Sequence, residues 1–565
     1  MNQLGMSRHE AVAQLTAPGA AFEMTTAVVH GHPMRVYLHT PISMREVLHS
    51  SLAFGDRMFL VFGETRWTFN DFGIRVRRLA GYLQEDLGIS KGDRVAIGMR
   101  NYPEWVVCFW ATQYLGAVAV PLNAWWTGHE LSYALSDSDA QVLIVDEERW
   151  DRVRDLEVTG GAKILLCRAT TQQDPRVTAL ETVLEGPDRE IPHLADIEPD
   201  DPSTIMYTSG TTGDPKGAIH THRNHCTNIM NTALSGAVSA LLRPDLAAAN
   251  EGRVTVALQT FPFFHIGGMT GLYVSTSFGL TLVVMHKWDA AEAVDLLEEF
   301  KINSVAGVPT VIQQFFDELD RRGVSAESLT AVSAGGAPVP PNLIERMGDR
   351  SANLIRPGNG YGLTETSSAV VVNSGDEYYA HPDSVGRPVP VADIEIRDEI
   401  GVVVPDGVVG ELWVQGPNVV AGYWNKPEAT AQAFVDGWFR TGDAAFVRDG
   451  FVYVVDRIKD VVLRGGENVY CAEVEAAILA NEEIHDVAVF GIPHEVLGEE
   501  VAALITYAPG KSLPTDELQR RLRERLAAFK IPSRIWVSAE GIARSATGKV
   551  LKRDLREAAR AGKYD

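Results

Sequence analysis

Cysteine is scarce in this chain. Only Cys108, Cys167, Cys226 and Cys471 occur among 565 residues, and none has CxxC spacing. Neither a disulfide framework nor a zinc site is suggested; a reducing compartment fits, and a cytoplasmic location is expected. Positive charge is also short: 51 Lys and Arg stand against 74 Asp and Glu, a formal charge of −23. So acidic a chain offers no broad face to nucleic acid and no electrostatic grip on anionic lipid. Any phosphate-bearing ligand must be held by a local cluster of donors. Long uninterrupted apolar runs are missing too. VVCFWATQYLGAVAVPL and MTGLYVSTSFGLTLVVM approach span length but contain polar residues and glycine, so buried core is expected, not stable membrane insertion. The N-terminus lacks the charged start and apolar stretch of a secretion signal, and the final KYD is no peroxisomal address.

What is present is α/β texture on a large scale. Single cores stop growing near roughly 250–300 residues, so at least two domains are expected. TFNDFGIRVRRLAGYLQEDLG places apolar residues at helical spacing and ends at Gly88; DRVAIGM reads as a buried strand. PEWVVCFWATQYLGAVAV repeats helix then strand, QVLIVD is another strand, and AAEAVDLLEEFKINSVAGVP is a helix followed by a strand that breaks at Pro309. After Pro388 short strands such as ADIEIRD, GELWVQG and GFVYVVD suggest a β-rich subdomain. The last hundred residues read as a separate α+β unit, with helices in AEVEAAILAN and TDELQRRLRERLAAF and strands in DVAVFGIP and EVAALITYA. The expected division is 1–457 and 458–565.

Five segments carry chemistry. YTSGTTGDPKG holds Thr208, Ser209, Gly210, Thr211, Thr212, Gly213 and Lys216. Its glycines let backbone amides approach an anion, its hydroxyls donate, and Lys216 adds a point charge. It is not a Walker A loop, because Pro215 precedes the lysine and Gly217 follows it. FPFFHIGG brings His265 among aromatics; alone, such a histidine reads equally as core. NGYGLTET (Asn359, Gly360, Tyr361, Gly362, Thr364, Glu365) offers an aromatic face, a hydroxyl and a hard oxygen ligand, though a polar turn after a strand would look the same. SAGGAPVP precedes it, with Gly335, Gly336 and Ala337. GWFRTGD ends at Asp443, fourteen residues before Arg457; one carboxylate can accept from both hydroxyls of a ribose. SATGKVLKRDL carries Lys549, a position that without context is a solvated lysine.

Taken in order, these segments resemble the adenylate-forming superfamily of acyl-CoA synthetases, nonribosomal-peptide adenylation domains and luciferases, from about residue 41 to 556. The resemblance implies a large N-terminal domain of two αβαβα halves plus a distorted β-barrel, followed by a small mobile α+β lid. It implies that Thr208 to Gly213 and Lys216 cradle ATP phosphates, and that Gly335, Gly336 and Ala337 wall the adenine. Tyr361 would stack on the purine, and Asp443, assisted by Arg457, would take the ribose. Thr364 would hold the α-phosphate, Glu365 would ligand Mg²⁺ with Thr208 nearby, and Lys549 would reach the reacting carboxylate. His265 would border the acyl pocket, where the small Gly267, Gly268 and Gly271 should leave room for a bulky acid. Lys459 would be the hinge, and Gly465 and Gly466 would let the backbone run beside pantetheine. Where the family usually has proline this chain has Cys471, read as a packing residue.

The implied reaction is activation of a carboxylic acid by ATP and transfer to coenzyme A. A carrier-protein pantetheine remains an open acceptor, as does a homodimer. An inactive nucleotide-binding regulator is disfavoured by the joint retention of Lys549, Glu365, Asp443 and Thr364. No fixed aspartate for a substrate ammonium is apparent, which disfavours an amino acid. Fatty, aryl-alkanoic and alicyclic acids all stay open.

Overall fold

A computed structural model describes residues 6–156, 161–169, 174–191, 193–208, 215–337, 339–349, 355–544 and 550–564. Its largest part is two sheets that share a layer of helices. One has seven strands, with Arg94–Gly98, Val118–Pro121, Val142–Asp146, Lys163–Cys167 and Val177–Ala179 parallel. It is closed at one edge by the antiparallel hairpin Pro202–Thr208 and Lys216–Thr221. The other has nine strands. Its parallel centre comprises Met58–Phe62, Thr281–Val284, Val256–Gln259, Ser304–Gly307, Ala331–Gly335 and Arg356–Leu363.

The apolar runs explain the layering. The helix Pro103–Leu115 buries every residue but Tyr114, as expected of a helix apolar all round. With Phe69–Glu85 and Ile266–Phe278 it fills the space between the sheets, where Trp105, Phe109 and Leu272 meet Leu60 and Leu282 from one sheet and Val95 and Ile97 from the other. The first of these helices starts at a reciprocal cap between Thr68 and Asp71. The second stops at Gly116, whose φ of 72° is left-handed. Outer helices cover both far faces: Ala290–Phe300 and Pro309–Arg322 on the nine-stranded sheet, Gly128–Ser138 and Glu147–Val153 on the other. Among the described residues no helix is long and apolar enough to cross a membrane.

The β-rich segment forms a five-stranded antiparallel sheet from Asp393–Arg397, Gly410–Gln415, Phe434–Val435, Trp438–Arg448 and Phe451–Arg457. Its apolar face packs on Val370 and Val371 of the nine-stranded sheet. The smaller C-terminal part has its own five-stranded sheet, built on the long hairpin Ile484–His494 and Gly498–Tyr507. The helix Cys471–Leu479 packs on one face and Lys552–Arg560 on the other. One expected helix is shorter than its pattern. TDELQRRLRERLAAF is helical only over Thr515–Leu522, then closes in tighter turns in which Glu524 and Arg525 donate three residues back. Leu518 and Leu522 are buried in the core, and Leu526 and Phe529 pack against it, partly buried, beyond the helix.

A buried ion pair ties the C-terminal sheet to both helices: Lys552 Nζ lies 2.9 Å from Glu475 Oε1, and Glu475 also accepts from the Val489 amide. Burial works against both charges, yet Glu475 holds Lys552 protonated. Lys552→Met should cost about 3–5 kcal/mol, because the carboxylate stays buried without its partner. Urea unfolding followed by Trp536 fluorescence measures this, and the double variant with Glu475→Gln should recover most of the loss.

Candidate nucleotide and acyl site

The three large sheets converge on one short turn. The strand Arg356–Leu363 ends in a single 3-10 turn, Thr364–Thr366, followed by Ser367 and Ser368 at positive φ. Gly362 is needed there, since a β-carbon would fall 1.8 Å from the Ser368 carbonyl. Three groups hold the turn from behind. His220 Nε2, on the seven-stranded sheet, lies 2.8 Å from the Thr364 carbonyl, which fixes that nitrogen as the protonated one. The Val420 amide donates to the Glu365 carbonyl at 2.9 Å, and Asn418 donates to that of Thr366. The Tyr423 hydroxyl donates to Glu365 Oε1 at 2.8 Å, and Lys216 Nζ sits 5.2 Å from the Tyr423 ring centre.

Glu365 is therefore a buried carboxylate whose partner is a neutral phenol. It forms no ion pair within 4 Å among the described residues. Such a group suits a bound cation with oxygen ligands. Thr208 and Lys216 form the last register pair of the edge hairpin, with the Thr208 hydroxyl donating to the Lys216 carbonyl at 3.3 Å. The expected phosphate-loop residues Ser209, Gly210, Thr211, Thr212 and Gly213 lie outside the described residues, as does Lys549.

A second cluster adjoins the turn. Asp443 and Arg457 face each other across two antiparallel strands, with Arg457 Nε 2.6 Å from Asp443 Oδ1. The Tyr361 hydroxyl donates to Asp443 Oδ2. Burial works against the charge of Arg457, but Asp443, with Glu365 and Asp460 beyond it, shifts the guanidinium above its usual value. Burial and then Asp443 push the Tyr361 phenol well above its usual range, so it acts as a donor. Asn359 and Gly360 pair with Ala334 and Gly335 on the neighbouring strand, and Gly336 turns away at φ 80°. Gly335 thus has backbone, not side chain, against it: its β-carbon would lie 3.1 Å from the Gly360 carbonyl. Ala337 follows, half-buried.

His265 caps the helix Ile266–Phe278, its Nδ1 accepting from the Gly267 amide at 3.2 Å, and its ring stacks on Phe261. Of the following glycines one is closely packed: a β-carbon on Gly268 would fall 2.0 Å from the Pro262 carbonyl, so the helix packs there against its own preceding loop. One on Gly271 would lie 2.8 Å from the end of the Gln259 side chain, and at Gly267 it would meet His265 and Phe261 at the ordinary contact distances of 3.4–3.5 Å.

Lys459 lies in the turn Ile458–Asp460 directly after Arg457, its carbonyl 3.5 Å from Arg556. Gly465 and Gly466, at φ 61° and 89°, form the two-residue turn of the hairpin Val462–Arg464 and Glu467–Val469. Two positive φ values in succession require glycine whatever passes beside the loop. Asp456, on the same strand as Arg457, accepts from the amides of Cys471 and Ala472 and so caps the helix Cys471–Leu479 from fifteen residues upstream. Cys471 is fully buried, as a packing residue should be. His220 and Tyr423 escaped the sequence reading. The only signal for His220 was HTH at the end of a strand that begins with the site lysine.

Strand exits carrying glycine, a buried carboxylate with no ion pair within 4 Å among the described residues, and an Asp–Arg–Tyr cluster thus lie side by side. A family model described as AMP-binding enzyme matches residues 49–424, and one described as AMP-binding enzyme C-terminal domain matches 473–549. The chain belongs to the AMP-binding enzyme family and is an acid–thiol ligase within it. A feruloyl-CoA synthase of Amycolatopsis sp is 36% identical over 496 residues, covering 87% of this chain and 94% of its own. The long-chain-fatty-acid–CoA ligase FadD13 of Mycobacterium tuberculosis is 33% identical, covering 87% and 93%. The solved o-succinylbenzoate CoA synthetase (MenE) of Bacillus subtilis, in complex with its acyl-adenylate intermediate, superposes with a TM-score of 0.77. It is 27% identical and covers 92% of this chain and 99% of its own.

The imidazoles behind the turn make stability pH-dependent. Burial pushes both His220 and His222 down to about 4 from 6.5. The unfolded chain then takes up protons near pH 6.5 while the folded chain refuses them until about pH 4, so stability falls as pH drops through that window. The loss should be roughly 3 kcal/mol per imidazole. His225, stacked on His220 and also held well below its usual range by burial, adds to the same slope. Urea unfolding between pH 7 and 4 reads it, and His220→Leu should remove about a third of the slope.

Proposed function

We propose that the protein activates a carboxylic acid, fatty or bulky aromatic or alicyclic, and transfers it to coenzyme A by way of an acyl adenylate. A carboxylate oxygen attacks the α-phosphorus of ATP and pyrophosphate leaves. The thiol of coenzyme A then displaces AMP from the carbonyl. The observation that carries this reading is the buried Glu365, on one turn with Thr364, which accepts from the Tyr423 phenol and has no ion pair within 4 Å among the described residues. The names of the relatives, all ligases joining an acid to coenzyme A, support the same reaction.

Bringing a carboxylate to a triphosphate opposes two anions, so the barrier is largely electrostatic. Thr364 holds the α-phosphate in line, with Gly335, Gly336 and Ala337 walling the adenine and Tyr361 beside it. Asp443, already oriented by Arg457 and Tyr361, keeps lone pairs for the ribose hydroxyls, since a carboxylate has about four acceptor sites. Glu365, with Thr208 nearby, would hold Mg²⁺, which when bound offsets phosphate charge. Lys549 neutralises the attacking carboxylate, and the lid from 458 onward turns about Lys459 to withdraw it. Gly465 and Gly466 then flank the pantetheine arm.

Lys549→Ala should lower pyrophosphate release by about 10²–10³, the usual cost of one preorganised donor. Conversion of supplied acyl adenylate and coenzyme A to thioester should stay near the wild-type rate. Equal loss in both half-reactions would contradict the turning lid.

A further inference from the structure

Three parts of the candidate site meet on one short strand. Lys216–Thr221 opens with the site lysine, pairs with the hairpin strand that ends at Thr208, and carries His220 four residues on. Its other edge is taken by the segment around Tyr423. The Ile219 amide donates to the Gly422 carbonyl at 2.9 Å, the Ala421 amide to that of Ile219 at 3.2 Å, and the Trp424 amide to that of Gly217 at 2.7 Å. Side chains two apart along a strand share a face, so Lys216, Ala218 and His220 line one side. Ala218 packs against Tyr423, and Lys216 lies over the Tyr423 ring.

His220 carries this face across to the other sheet. Its bond to the Thr364 carbonyl reaches from the seven-stranded sheet to the turn that ends a strand of the nine-stranded one. The Thr364 carbonyl and the Glu365 amide belong to one planar peptide, so orienting the first orients the second and the α-carbon that bears the carboxylate. That carbonyl has two lone pairs, and the Ser367 amide takes the other at 3.0 Å, closing the turn. The Tyr423 hydroxyl meets the Glu365 side chain from the same strand edge. Backbone and carboxylate of Glu365 are thus both referred to the strand that starts at Lys216.

His220 is itself held in place. Its ring is fully buried and lies parallel to that of His225, with centres 5.1 Å apart and planes 9° apart. His225 Nε2 lies 3.1 Å from the hydroxyl of Thr204, and Thr204 is the register partner of His220. Burial keeps both rings neutral, so Thr364 meets a neutral donor and the cation site faces no added charge.

We propose that His220 is a positioning residue of the adenylating reaction: through the Thr364 peptide it fixes the Glu365 carboxylate relative to Lys216, so that a bound cation and the lysine engage one triphosphate together. The inference rests on the reaction proposed above. Its test compares the full-length enzyme with three variants. His220→Leu has no donor, the amide of His220→Asn ends near the reach of Nδ1, and that of His220→Gln extends to the reach of Nε2. The first readout needs no acid: ATP binding by titration calorimetry, with and without MgCl2. The Leu and Asn variants should lose about three- to tenfold of the gain in ATP affinity that magnesium brings, the worth of one neutral hydrogen bond. Their magnesium-free affinity should be unchanged, and Gln should restore most of the gain. In pyrophosphate release Leu and Asn should need correspondingly more magnesium for half the maximal rate, at an unchanged KM for the acid. Should Leu fail to fold, the comparison of Asn with Gln carries the test.

An equal magnesium gain in all the proteins, or a Gln variant as impaired as Asn, overturns the inference, since His220 would then only fill space. So does a loss that falls on the KM for the acid. If the unaltered enzyme releases no pyrophosphate with any acid, the underlying reaction falls and takes the inference with it. An active enzyme whose variants match it at every magnesium concentration sinks the inference alone.

Discussion

Everything functional in this molecule hangs on holding one three-residue turn from behind. Thr364–Thr366 is a single 3-10 turn with few bonds of its own, chiefly those of the Thr366 hydroxyl, and the two residues after it sit at positive φ. It is fixed because His220 comes from one sheet, the turn itself from a second, and Asn418, Val420 and Tyr423 from the segment leading into a third. Each supplies a hydrogen bond that has no competing partner in water-free surroundings, which is where such bonds are worth most. The placement of Glu365 is thus a property of how the sheets dock and not of the turn's own sequence.

Much of the scaffold was legible. Pro309 marks the end of a strand as read, the helix expected to end at Gly88 stops three residues earlier at Glu85, and the apolar run from Val106 onward reads correctly as interior because its helix is buried on nearly every side. The site was legible where neighbouring residues carry it: Asp443 and Arg457 are register partners on adjacent strands, close in sequence. It was not legible where the partner is remote. His220 meets a carbonyl 144 residues away. Gly268 invited a reading as open space because a small residue looks the same whether it faces a ligand or its own chain. The helix ending at Leu522 was overextended because Leu526 and Phe529 carry the apolar spacing on and still pack against the core after the backbone has left the α-helix.

The electrostatic design follows from the same economy. A strongly acidic chain does not draw anionic ligands in from a distance, so recognition falls to a few cations where sheet ends meet. Arg457 is held charged inside the Asp443 cluster, and Lys216 lies over an aromatic ring. Around them lie neutral donors, phenols and imidazoles that burial keeps from ionising. Solvent-facing charge sets solubility, and a handful of sheltered groups sets recognition.

Asp456 gives the joint between the two parts a mechanical character. Its carboxylate sits before Lys459 in the chain, and the amides it grips belong to the helix beyond. A ring at position 471 would have no hydrogen to offer, whereas the residue present does. Were the C-terminal part to turn about Lys459 as proposed, a buried acid would be stranded until water or another donor reached it. These two bonds would then act as a detent, a resting angle from which the joint is released with effort.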